Sequence, residues 1–73
     1  MIKVGDHRVG HFYSGSSVMV ITKTDWPFRV WYKWVGQKGN EEEYCQTCDE
    51  LFKSIYEPIS KEEVIKLKLK DQL

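Results

Sequence analysis

At 73 residues and 8.7 kDa, with zero formal net charge, 41% hydrophobic and 30% charged residues, the chain has room for one domain and none for a second. It is also too apolar and too aromatic for a disordered segment. No stretch approaches the roughly 20 apolar residues of a membrane helix. Met1-Ile2-Lys3-Val4-Gly5-Asp6 runs straight into polar residues without a secretory pattern, so a soluble, cytoplasmic protein is expected.

Charge is unevenly spread. Residues 1–40 carry six cations against two acids, and residues 41–73 carry five lysines against nine acids, which gives a dipolar surface. A strongly basic nucleic-acid binder and an acidic DNA mimic both have a different balance, although local patches carry more weight than totals.

Val4-Gly5-Asp6 signals a turn, and Arg8-Val9-Gly10-His11-Phe12-Tyr13 follows as a first strand in which Gly10 marks a bend or bulge. Ser14-Gly15-Ser16-Ser17 reads as the next turn. Val18-Met19-Val20-Ile21-Thr22-Lys23 is apolar on both faces, the pattern of a central, covered strand. Thr24-Asp25-Trp26-Pro27 then turns the chain into Phe28-Arg29-Val30-Trp31-Tyr32-Lys33-Trp34-Val35, dense in aromatic and β-branched residues. Alternation sends Phe28, Val30, Tyr32 and Trp34 to one face of that strand and Arg29, Trp31, Lys33 and Val35 to the other. One face supplies a core; the other needs a reason.

After a glycine-bearing turn at 36–40, Glu41-Glu42-Glu43-Tyr44-Cys45-Gln46 reads as a fourth strand, with Tyr44 inward and the glutamates forming a solvated edge. Thr47-Cys48-Asp49-Glu50 is a capping-box signature, which predicts a short helix near 48–55 with Cys48, Leu51, Phe52 and Ile55 on one apolar face. The helix must stop before Pro58, and Tyr56-Glu57-Pro58-Ile59 is an extended exit. Ser60-Lys61-Glu62-Glu63 repeats the cap, whereas Ile65-Lys66-Leu67-Lys68-Leu69-Lys70 alternates with period two. The cap and the glutamate and lysine content favour a C-terminal helix over 61–72; a closing strand is the alternative.

Four or five short strands joined by tight turns, with one helical turn before the last piece, outline a small SH3-like barrel of mainly β class. The chain resembles the small SH3-like barrel proteins of unknown function from bacteria and phages. The residues behind the likeness are Val4-Gly5-Asp6, Ser14-Gly15, Val18 and Val20, Val30 and Tyr32, and Leu51-Phe52 followed by Tyr56-Glu57-Pro58-Ile59. It covers about residues 4–59, leaving the 60–73 segment and the three tryptophans outside. The resemblance implies a barrel fold and a genomic setting, that of a phage accessory protein in the host cytoplasm. It supplies no catalytic residues.

Two constellations invite chemistry. Cys45-Gln46-Thr47-Cys48 has the spacing of half a tetrahedral zinc site, which His7 and His11 could complete. Only one such pair is present and the histidines precede it by more than thirty positions, so the plainer reading is two reduced cysteines, Cys48 packed under its helix, and no cofactor. At the first helical position the backbone dipole could also favour a Cys48 thiolate. No activated serine or paired carboxylate accompanies either histidine, and consecutive strand residues point opposite ways, so Glu41, Glu42 and Glu43 cannot converge on a metal. A non-enzymatic protein is expected.

The aromatic set is the stronger signal. Tyr13, Trp26, Phe28, Trp31, Tyr32, Trp34, Tyr44, Phe52 and Tyr56 exceed what a small barrel encloses, so some rings face solvent. Either lysine and arginine stems or the C-terminal segment cover them, which makes Trp31 part of a second small core, or they form a contact patch of Trp31 with Trp26, Arg29 and Lys33 beside it. The patch reading implies a protein partner, a host protein or defence factor that the chain inhibits, or a second copy of itself. The alternative is a nucleic-acid module in which Trp26 and Trp31 stack bases while Lys23, Arg29, Lys33 and Lys38 contact phosphates.

Overall fold

A computed structural model describes residues 1–36 and 42–69; Lys38, Glu41 and the expected turn and C-terminal positions at 37–41 and 70–73 lie outside the described residues. Its longest element is β2 (Gly15–Asp25), an eleven-residue strand at the centre of a five-stranded antiparallel sheet. The other strands are β1 (His7–Phe12), β3 (Arg29–Val35), β4 (Tyr44–Thr47) and β5 (Glu57–Ile59), in the order β4-β3-β2-β1-β5. Helix α1 (Cys48–Lys53) links the two outer strands, and α2 (Lys61–Leu69) follows β5. The class is therefore mainly β with two short helices, in a small barrel-like arrangement.

The double-sided apolar character of β2 has a direct cause: the sheet is packed on both faces. Met19 and Ile21 join Ile2, Val30, Cys48 and Leu51 in one buried cluster, with Tyr32, Trp34 and Tyr56 against it. Val18, on the opposite face, joins Val9 and Val64 in a second, flanked by Val35, Ile59 and Leu67. Helix α1 thus closes one face and α2 part of the other. Burying each of the larger core side chains stabilises the fold by roughly 1.5–3 kcal/mol, which is how a domain this small holds together.

Both helices start as the caps dictate. Thr47 Oγ1 accepts the Glu50 N–H at 3.0 Å and Ser60 Oγ accepts the Glu63 N–H at 3.2 Å, each satisfying a donor the first turn leaves orphaned. The C-terminal segment is accordingly helical over its described residues.

Thr24 and Asp25, expected in a turn, extend β2 and pair with Val30 and Arg29, and local expectations shift at four further points. Ser14-Gly15-Ser16-Ser17 is mostly ladder: Phe12 pairs with Gly15 and His11 with Ser16, so the hairpin turns on Tyr13 and Ser14 alone. Gly10 pairs regularly with Ser17 and carries no bulge; the irregularity falls in β2 between Ile21 and Lys23. β4 starts at Tyr44, later than expected, and Tyr44 lies 36% exposed, stacked on Tyr32 with ring centroids 5.7 Å apart. On α1 only Cys48 and Leu51 are buried, while Phe52 and Ile55 are 52% and 59% exposed. The helix ends at Lys53, where the Ser54 N–H and Oγ both donate to the Leu51 carbonyl, so Ile55 is never on the helical face.

Candidate functional site

The face of β3 that needed a reason receives two. At one end Val35 lies under α2 with Val18 and Leu67. Further along the same face stand Lys33, Trp31 and Arg29, opposite Val20, Lys23 and Asp25 of β2, and the apolar cluster beneath α2 does not include Trp31.

The bulge between Ile21 and Lys23 sets this pairing. It advances the register by one residue, so that Lys23 rather than Thr22 stands opposite Trp31. The Lys23 ammonium then lies 4.6 Å from the indole centroid, and the Arg29 guanidinium, two residues before Trp31 on the same side, lies 5.3 Å from it. Cations placed over an indole contribute roughly 0.5–1 kcal/mol each at exposed sites. Asp25 is the one acid paired here among the described residues, its carboxylate 3.7 Å from Arg29 across the strand pair, with both partners about half exposed. Trp31 is consequently half-buried under the cationic side chains, leaving Lys23, Arg29 and Lys33 as an excess of positive charge around it.

Of the four residues expected to form one patch, Arg29, Trp31 and Lys33 share a face. Trp26 stands apart from them: it sits on the β2–β3 turn, 38% exposed, with its ring edge-on to Phe52 of α1 at 5.8 Å. Lys23 takes its place beside Trp31. The strand alternation read from sequence could not place Lys23, because the bulge that aims it is invisible in the residue pattern. Trp34 packs inward between Tyr32 and Tyr56, with centroids 5.6 Å from each.

His7, His11, Cys45 and Cys48 do not converge. The histidines are on β1 and Cys45 is on β4, with β2 and β3 between them, while Cys48 is buried among apolar side chains. No group of three or more metal-ligating side chains forms among the described residues. Burial, and then the charge of Asp25, pushes the Cys48 thiol up rather than toward the thiolate its helical position suggested. His11 Nδ1 instead lies 2.9 Å from Ser16 Oγ. Of the three glutamates, Glu42 and Glu43 are exposed, and each is engaged singly: Glu43 accepts the Thr22 hydroxyl at 2.6 Å and Glu42 the Tyr44 hydroxyl at 3.3 Å.

No described helix is long and apolar enough to cross a membrane. Comparison of the chain with protein-family models, with curated proteins and with solved structures finds no match.

Proposed function

We propose that this protein is a non-enzymatic protein-binding module whose contact surface is centred on Trp31 and includes Lys23, Arg29 and Lys33. The observation that carries the reading is the half-buried indole with Lys23 and Arg29 over it, outside the apolar cluster beneath α2. Tryptophan and arginine dominate interface energies, and a partner carboxylate can pair with the two cationic heads while its apolar groups take over the indole. A domain this small still has enough surface for a standard interface of about 800 Å² per partner. In the setting that the resemblance implies, the partner is a host protein whose activity falls on binding.

The test begins with the immobilised chain and a lysate of its native cell. The captured protein is identified by mass spectrometry, purified and titrated against wild type and Trp31→Ala. Binding at least tenfold weaker for the variant, with its cooperative unfolding transition retained, is expected. A retained species that is nucleic acid, lost steeply with added salt, would instead support base stacking and phosphate contacts at the same residues.

A further inference from the structure

On the other side of the sheet from Trp31, where β1 pairs with the edge strand β5, lies a cleft of about 340 Å³ between the N-terminal segment, β1, α1 and β5. Its walls include Met1, Ile2, Phe52, Pro58 and Ile59, and its lining includes the guanidinium-bearing Arg8. We propose that this cleft binds a small amphipathic carboxylate, with the apolar body against Phe52 and the anion on Arg8.

Three observations combine. Arg8 is half-buried, and its Nε and Nη2 both donate to the Tyr56 carbonyl at 3.3 and 3.0 Å, which fixes the fork in place. A guanidinium carries five N–H donors, so this bonding leaves others free, and Arg8 forms no ion pair among the described residues. Burial is the largest influence on its pKa and pulls it down, with Asp6 and Glu57 opposing only in part, so the cation still favours a further counter-charge.

The wall is equally fixed. Phe52 is held between the Arg8 guanidinium, 5.6 Å from its ring centroid, and the edge-on ring of Trp26. This gives a structural reason for leaving an aromatic residue half in solvent on a helix that could have turned it inward. Asp6 and His7 also border the cleft; the Asp6 carboxylate, whose Oδ2 accepts the Lys3 N–H at 2.9 Å, keeps its charge, so an incoming anion is directed to Arg8 and away from Asp6. A cleft of this size, with apolar side chains on part of its wall and Arg8, Asp6 and His7 on the rest, falls in the size range of small-molecule sites.

The experiment uses the full ¹⁵N-labelled chain titrated at fixed pH with phenylacetate and, separately, with its neutral isostere phenylacetamide. A ligand of this size is expected to bind with a dissociation constant on the order of a few millimolar or tighter. Phenylacetate should shift amides at Arg8, Phe52 and Ile59, and the amide should bind about tenfold more weakly. Arg8→Gln should abolish that preference. Absence of binding in the millimolar range, equal affinity for the acid and the amide, or shifts confined to the Trp31 face would each overturn the proposal, and the first two need no variant to fold.

Discussion

The ring of Tyr56 lies directly against the backbone of Gly10: a Cβ built on Gly10 would stand 2.7 Å from Tyr56 Cε1 and 3.0 Å from Cδ1. Tyr56 cannot easily withdraw, since its ring also contacts Trp34 at 5.6 Å and Phe12 at 6.1 Å between centroids. The glycine is there for space, in the middle of a regular ladder. Gly10→Ala is therefore expected to destabilise the fold by about 1–3 kcal/mol through overpacking, read as a lowered midpoint in urea. In the Tyr56→Ala background the same substitution should cost much less; equal costs in both backgrounds would remove the steric explanation.

Helix α1 makes a second contrast measurable. Leu51 is fully buried and Phe52, its neighbour, is 52% exposed. Leu51→Ala should cost about 2–5 kcal/mol, whereas Phe52→Ala should cost under about 1.5 kcal/mol because only edge contacts with Trp26 and the Arg8 cation are lost. A reversal of that order, measured by chemical denaturation, would mean the helix is rotated from the orientation described.

That contrast also marks what the residue pattern could convey. Apolar runs on both sides of residues 18–21 announced a central strand, and Thr47 with Glu50 announced a helix start, because those signals are local. Which of Leu51 and Phe52 goes inward is decided by where Met19, Ile21 and Val30 stand across the sheet, and spacing alone does not carry that. The Trp31 face was half legible. Alternation put Arg29 and Lys33 beside Trp31, but the bulge that brings Lys23 over the ring and the packing of Trp26 on Phe52 are tertiary facts. Ile2, 5% exposed in the main core, stands before the first expected strand, where no periodicity marks it as inward.

His7 supplies a pH dependence. Burial, and then the ammonium groups of Lys61 and Lys68 on α2, lower its pKa from the ordinary 6.5, against smaller opposing effects of Asp6 and the Gly5 backbone. The unfolded chain therefore binds the proton more tightly than the folded one, and stability rises with pH across that window. The contribution is complete above about 6.5 and is lost as pH falls through the lowered folded value. Urea midpoints should drop between pH 7.5 and 5.5 in wild type and drop less in His7→Asn. An identical drop in both proteins would assign the effect elsewhere.

The account rests on the face around Trp31 being where a partner sits, and lysine footprinting tests that most directly. Lys23 and Lys33 belong to that face, while Lys53 and Lys61 are exposed on α1 and α2. With the captured partner bound, reductive methylation should slow several-fold at Lys23 and Lys33 and proceed unchanged at Lys53 and Lys61. Unchanged reactivity at Lys23 and Lys33, with protection at either helix, would contradict the assignment of the contact surface.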